Sequence, residues 1–452
     1  MKKLQLVQST SGIRGVIGNG LDPVLITRYA AAFGTFLKKG KLVLGRDSRP
    51  SGDMVHRAVV AGLVSVGIDV IDIGIVPTPT VEIAVKGLKA AGGICITASH
   101  NPAPWNALKF FNDHGEFITP AQYKKLDSIF NGNKFAYTDH KGLGSVSTDD
   151  SWIEHHIRQL FKLKAVNRPA IRRQKFKVVV DAINGAGSVA LPEMLRRLGV
   201  QVVCINCKGD GDFVHEPEPI PENLKALGRA VRKHRADLGM ACDPDADRLA
   251  LVDETGTPIG EELTLAIAVP VVLAVQSGPT VINLSTSNVT ADAAREAGSK
   301  VIYSKVGEAN VVEMMHKRKA VIGGEGNGGV IYPSFHAGRD SLIAGALVLS
   351  ALAKKKISLS GLVDTLGRYY TVKTKAPLPG NFATRLARFE REAPKLLGPV
   401  RVDKKDGLRF DFPQGWVQIR SSNTEPIFRL IVETDNERLT KRLVTDVKRY
   451  FK

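Results

Sequence analysis

Thr97-Ala98-Ser99-His100-Asn101-Pro102 puts a hydroxyl, an imidazole and an amide on one polar turn, directly after the apolar run Gly92 to Ile96. A short apolar run bounded by glycine and proline reads as a buried strand. Ser99 then stands on the loop past that strand's carboxyl end, where open α/β sheets bind their ligands. Alone, Ser-x-Asn-Pro is equally a turn that starts a helix. A second segment, Asp243-Pro244-Asp245-Ala246-Asp247-Arg248, alternates three aspartates along an extended stretch, so their carboxylates can converge on one cation. With no His or Cys beside them, they suit Mg²⁺ or another oxygen-loving ion rather than zinc. A calcium EF-hand is excluded because Arg248 stands where that loop needs glycine.

Gly324-x-Gly326-x-x-Gly329 matches a dinucleotide fingerprint in form, but Val330-Ile331-Tyr332-Pro333 continues as strand and proline, not helix. It reads instead as a tight loop that turns Glu325 and Asn327 toward a hydroxyl-rich ligand. Arg420-Ser421-Ser422-Asn423-Thr424-Glu425-Pro426 with Arg429 gathers two guanidinium forks, hydroxyls and amides, which together suit a phosphate. Arg14 in Ser11-Gly12-Ile13-Arg14-Gly15 and Lys109 in Asn106-Ala107-Leu108-Lys109 complete the set. A desolvated lysine near other cations has a lowered pKa, which would let Lys109 shuttle a proton.

The elements that position these loops repeat one plan three times, strand-helix-strand-helix-strand. The first copy has strands at 42–44, 70–73 and 93–96, the second at 178–181, 201–205 and 238–242, and the third at 281–284, 300–304 and 320–322. Each copy ends on one chemically loaded loop. Leu263 to Val275 is apolar throughout and reads as a buried helix. The remainder, with alternating Val417 and Ile419, then Phe428, Leu430 and Val432, and an amphipathic helix from Glu437 to Tyr450, reads as a small α+β unit.

Length and composition agree. At 452 residues the chain exceeds one core and suggests three or four units. Its 43% apolar and 24% charged residues are ordinary for a folded globular protein. The net charge of +18 comes from short scattered runs without interleaved aromatics, which favours a solvated basic surface over nucleic-acid binding. The four cysteines do not form a disulfide framework. Cys95, Cys204 and Cys242 sit in strand-like runs and are expected to be reduced and buried, in a cytoplasmic protein. Cys204-x-x-Cys207 has no second pair to complete a zinc site. The amino terminus lacks the apolar core of a signal peptide, and no stretch is long enough to span a bilayer.

With these motifs assembled, the chain resembles the α-D-phosphohexomutase family over its whole length. The motifs are Thr-Ser-Gly-Ile-Arg-Gly at 10–15, the Ser99 hexapeptide, Asp-Pro-Asp-Ala-Asp-Arg at 243–248, Gly-Glu at 324–325 and the 420–429 loop. The resemblance implies three consecutive similar α/β domains with mixed sheets (1–150, 151–255 and 256–368) and a smaller C-terminal α+β domain (369–452), heart-shaped around a central cleft. It implies catalysis by Ser99 as phosphoserine, with Arg14, His100, Lys109 and Arg248 assisting, and Mg²⁺ held by Ser99, Asp243, Asp245 and Asp247. Substrate would be bound by Glu325, Asn327, Arg420, Ser422, Asn423, Thr424 and Arg429, with a hexose 1,6-bisphosphate as intermediate and activator. Two departures stand out. Many relatives carry Ser and His in the sugar loop where this chain has Asn327 and Gly329, and some carry a His where it has Glu308. The loop Gly-Glu-Gly-Asn-Gly-Gly-Val is similar to the archaeal-type phosphoglucosamine mutase branch.

The expected activity is therefore exchange between glucosamine 6-phosphate and glucosamine 1-phosphate, by a monomer or homodimer in the cytoplasm with no membrane or nucleic-acid partner. The acidic pair Glu308 and Glu325 would either favour an amine-bearing sugar by charge or simply bind hydroxyls. Phosphoglucose or phosphomannose exchange is the alternative within the family, a phosphatase is another, and a non-catalytic phosphosugar-binding protein is the alternative of another class.

Overall fold

The protein is described here by a computed structural model covering residues 6–421 and 427–451. The first unit builds its sheet from parallel strands Lys41–Arg46, Asp69–Ile75 and Gly92–Ile96, and Trp105–Phe111 runs antiparallel beside the third. The spatial order is second, first, third, fourth. The same order recurs in Lys177–Asp181, Gln201–Ile205, Leu238–Cys242 and Leu249–Val252, and again in Thr280–Asn283, Val301–Ser304, Ile322–Glu325 and Gly329–Ile331. In the first unit, Leu6–Ser9, Gly12–Ile17 and Gly20–Leu21 extend one edge and Val146–Thr148 the other.

The triplicate plan expected from sequence is present, and each copy gains a fourth, antiparallel strand. Each motif loop is therefore the turn between a third strand and its returning fourth. Trp105–Phe111 escapes sequence reading because Asn106 and Lys109 interrupt its apolar pattern, although both side chains are buried.

Strands Gly92–Ile96 and Leu238–Cys242 are buried at every residue, as parallel strands covered on both faces must be. Helices Glu262–Leu273 and Ser341–Lys355 are apolar on nearly all sides, which fits burial between layers. The buried helix expected at 263–275 is the first of these. One continuous core joins Val178, Leu191 and Met240 of the second unit to Leu265, Ile282 and Leu342 of the third. The first unit has its own cores on the two faces of its sheet.

The C-terminal unit is an antiparallel sheet in the order Tyr370–Pro377, Ile427–Thr434, Gly415–Ser421, Leu408–Phe412, Arg401–Asp403. Helices Phe382–Leu397 and Glu437–Tyr450 close its core around Phe389, Phe410 and Leu430. It docks on the third unit through buried polar groups: Arg409 donates to the Leu284 carbonyl at 2.7 Å and Glu433 accepts the Asn288 N–H at 2.7 Å.

One expectation is corrected. Cys204 is exposed, because Gln201–Ile205 is an edge strand; Cys95 and Cys242 are buried. Among the described residues, no helix is long and apolar enough to cross a membrane.

Candidate active site

Ser99 follows strand Gly92–Ile96 with φ +49°, a left-handed conformation that non-glycine residues adopt only when their surroundings enforce it. The enforcing groups are Asp47 and Arg49, at the end of the neighbouring strand Lys41–Arg46. Asp47 accepts from Thr97 Oγ1 at 2.6 Å and from Arg49 Nε at 3.0 Å, and Thr97 Oγ1 accepts the Ser99 N–H at 2.9 Å. Arg49, fully buried, donates to the carbonyls of Ser99 and Asn101 at 2.6 Å, Pro102 at 2.8 Å and Trp105 at 2.9 Å. Arg14 Nη1 fixes the same loop through Asn101 Oδ1 at 2.6 Å. Ser99 is buried rather than exposed, at 3% accessibility. Its hydroxyl donates to Asp243 Oδ2 at 2.8 Å, and His100 Nδ1 lies 3.4 Å away. Burial, with Arg248 and Arg14 nearby, pushes the His100 imidazole well below its ordinary pKa, so it is neutral.

Asp243, Asp245 and Asp247 are all buried, with one oxygen of each within 4.8 Å of the others. Ala246, at φ +53°, turns the loop so that alternate side chains face one point. Burial, then the charges of Asp245 and Asp247, push Asp243 well above the carboxylate range. Burial also raises Asp245, but Lys109 Nζ at 2.5 Å and Thr78 Oγ1 at 2.7 Å outweigh it and hold this carboxyl well below its usual value. Among the described residues, Asp245 Oδ1 and Asp247 Oδ1 are buried without hydrogen-bond partners. Three converging carboxylates, two of them with an orphaned oxygen, and no sulfur or imidazole ligand fit a hard divalent cation.

Lys109 departs from expectation. Burial alone would push its ammonium down, but Asp245 and Asp247, at 2.5 and 3.2 Å, overcome that and raise its pKa. It is a fixed positive charge beside the aspartates. Arg248 lies 3.7 Å from Asp247 through Nε and 3.4 Å from Glu218 through Nη1.

The third loop meets the second directly: the Leu249 N–H donates to the Gly328 carbonyl at 3.0 Å, and Gly328, at φ +85°, leaves no room for a Cβ, which would come within 2.4 Å of the Leu249 oxygen. Glu325 is buried and accepts from Asn283 Nδ2 at 2.8 Å and the Gly307 N–H at 2.9 Å. Burial raises it, but Arg339 and these donors bring it below its ordinary value. The expectation of a free acidic pair is corrected here. Glu308 and Glu325 both hold Arg339, at 3.1 and 3.0 Å, and the same guanidinium reaches Asp247 at 2.7 Å. Asn327 accepts the Gly329 N–H at 3.1 Å and closes the turn.

Arg420 and Arg429 face each other in register on adjacent antiparallel strands. Like charges directly opposed are unfavourable unless an anion sits between them. Burial, with Arg429 beside it, lowers the Arg420 pKa, and its buried Nε has no hydrogen-bond partner among the described residues. Ser422, Asn423 and Thr424 lie outside the described residues.

Sequence reasoning missed Asp47, Arg49, Thr78 and Arg339. The first two were visible as the polar run Arg46-Asp47-Ser48-Arg49 at the end of an apolar strand, the signal that had singled out Ser99. Arg339, by contrast, lies in a connecting segment, and its partners are distant in sequence: Glu308 and Glu325 in its own unit and Asp247 in the second.

Family models described as phosphoglucomutase/phosphomannomutase alpha/beta/alpha domains I, II and III match residues 5–137, 152–256 and 260–369, and the model of the C-terminal domain matches 377–449. The chain belongs to the phosphoglucomutase/phosphomannomutase family. A relative within this phosphohexomutase family, named phosphoglucomutase/phosphomannomutase, from Thermococcus kodakarensis, is 37% identical over 95% of this chain and 94% of its own. A second, from Methanopyrus kandleri and named probable phosphoglucosamine mutase, is 36% identical over 96% of this chain and 95% of its own. The crystal structure of a phosphoglucomutase/phosphomannomutase family protein from Burkholderia thailandensis superposes with a TM-score of 0.85 at 28% identity, covering 98% of this chain and 97% of that one. The chain is thus a phosphohexomutase family member, an isomerase by class.

Proposed function

We propose that this phosphohexomutase interconverts hexose 1-phosphates and 6-phosphates through a phosphorylated Ser99 and a bound hexose 1,6-bisphosphate, with glucosamine phosphate as the preferred sugar. The observation that carries the reading is the 2.8 Å contact between the Ser99 hydroxyl and Asp243 inside a cluster of three buried carboxylates. A nucleophilic oxygen and a candidate cation site share one point, which is what phosphoryl transfer requires.

Asp243, Asp245, Asp247 and a Ser99 phosphate oxygen would hold one Mg²⁺, which when bound supplies positive charge to the phosphoryl group in transit. In the forward half-reaction the Ser99 O–P bond breaks as a sugar hydroxyl oxygen bonds to phosphorus; that hydroxyl's proton leaves and the serine oxygen regains one. In the second half-reaction the other sugar O–P bond breaks as Ser99 Oγ bonds to that phosphorus; the serine proton passes to a neighbouring base and the freed sugar oxygen takes one up. His100 Nδ1, 3.4 Å from Ser99 Oγ, is within reach of the serine proton. Arg14, Lys109 and Arg248 stabilise charge around the transferring group. Arg420 and Arg429, with Ser422, Asn423 and Thr424, anchor the phosphate that is not transferred, and Glu325 and Asn327 bind sugar hydroxyls. Each loop belongs to one unit of the division 1–150, 151–255, 256–368 and 369–452. The protein would act as a monomer or homodimer in the cytoplasm, a compartment that keeps thiols such as its four unpaired cysteines reduced.

The glucosamine preference rests on the Gly324 to Val330 loop and on relatives such as the one from Methanopyrus kandleri. A second reading, glucose and mannose phosphates, is favoured by Arg339, which occupies both carboxylates that would have attracted an amine. The test is a mutase assay on the 1-phosphates of glucosamine, glucose and mannose with Mg²⁺ and catalytic glucose 1,6-bisphosphate. Selective 6-phosphate formation from glucosamine 1-phosphate supports the first reading; comparable rates on all three support the second. No turnover with Ser99 unphosphorylatable overturns both and leaves a phosphosugar-binding protein.

A further inference from the structure

The buried Arg339 side chain holds three carboxylates at once. Its Nε and backbone N–H go to Glu308 at 3.1 and 2.7 Å, Nη1 to Glu325 at 3.0 Å and Nη2 to Asp247 at 2.7 Å, with 7% of the residue exposed. Gly329 makes room for its stem, since a Cβ there would lie 2.3 Å from Arg339 Cδ. Glu308 and Gly329, two of the positions at which this chain departs from many relatives, are thus both shaped around one guanidinium.

The backbone that carries Arg339 is pinned. Asp340 caps helix Ser341–Lys355 through Oδ1, while its Oδ2 meets His156 Nε2 at 2.9 Å and His336 Nε2 at 3.0 Å. His336 Nδ1 lies 3.2 Å from Glu82 of the first unit, and a Cβ at Gly338 would collide with that same carboxylate. A guanidinium so fixed cannot swing away from Glu308 and Glu325 when a sugar arrives.

We propose that Arg339 sets the sugar specificity, acting as a positioning residue that offsets part of the charge of Glu308 and Glu325 and so limits how far the pocket prefers glucosamine phosphate over neutral hexose phosphates. This rests on the reading that the Gly324 to Val330 loop faces the sugar. Without the guanidinium, the two carboxylates in a low-dielectric pocket attract an ammonium group more strongly; with the guanidinium but without Glu308, one positive charge faces Glu325 alone and that attraction is lost.

The test compares kcat/KM for glucosamine 1-phosphate and glucose 1-phosphate in the full chain, with calorimetric Kd values for the two 6-phosphates as a second readout that needs no turnover. Arg339→Met is expected to move the glucosamine-to-glucose ratio upward by about fivefold to tenfold, the size of one partly desolvated charge contact, and Glu308→Gln to move it downward. A loss shared by both sugars reports only on Asp247, which also loses a partner in the Arg339 variant. Opposite shifts in two variants are not what general loosening produces. Ratios unchanged within about twofold in the folded variants, in both rate and binding, overturn the proposal. If Arg339→Met does not fold, Glu308→Gln alone decides by the same criterion. A wild type that binds both 6-phosphates but turns over neither 1-phosphate overturns the mutase reading, and the Kd ratios still decide the role of Arg339.

Discussion

Ser99 holds φ +49° because Thr97, Asp47 and Arg49 leave its loop no other shape. The strain at such a residue is on the order of 1–3 kcal/mol, and the donors of Arg49 offset it. Two consequences separate chemistry from scaffold at this scale. Ser99→Ala removes the phosphoryl carrier and one hydrogen bond, so mutase turnover is expected to fall at least about 10³-fold, with the melting temperature within about 2 °C of wild type. Arg49→Met leaves Asp47 buried beside a lost partner and frees four carbonyls; a stability loss of about 3–5 kcal/mol in urea unfolding is expected. Equal stability of the Arg49 variant would show that the loop holds itself.

The segment from His336 to Asp340 carries a titration of its own between elements. His336 faces Asp340 on its own segment and Glu82 of helix Thr78–Gly87; Asp340 in turn holds His156 of helix Trp152–Leu160, and Glu308 and Lys109 act on Glu82. Burial lowers His336, but Asp340 and Glu82 overcome it and lift it from 6.5 to about 9. Burial pushes Glu82 up to about 8. A histidine raised in the folded state stabilises fully below its unfolded value and loses that contribution as pH rises through about 9. Raised Glu82 adds in the same direction, since ionising it in place costs stability. The melting temperature is therefore expected to fall by about 3 °C or more between pH 7 and 10, and the fall to flatten in His336→Gln. A parallel slope in the variant would remove His336 from the account. These elements also mark where sequence reading reached and where it stopped. The three parallel strands of each unit and the loops they end on were legible, because burial on both faces leaves apolar runs cut by polar turns. Strand Trp105–Phe111 was not, since its buried Lys109 is balanced by aspartates from another unit. The sign of the Lys109 shift failed for the same reason, because a lysine's neighbours in space are not written beside it.

The second and third units share one apolar core around helix Ser341–Lys355, whereas the first and last have their own. Residues 152–369 are accordingly expected to fold as a block, while 260–369 alone exposes one face of that helix and aggregates; cooperative unfolding of the shorter fragment by circular dichroism would contradict this. The Ser99–Asp243 contact spans 144 positions of sequence. During synthesis the serine leaves the ribosome long before the aspartates exist, so a half-made chain carries the Ser99 loop, shaped by Asp47 and Arg49 of its own unit, without the carboxylates it will meet. The pairing of Ser99 with Asp243, and of Thr78 with Asp245, forms only once the second unit has folded against the first.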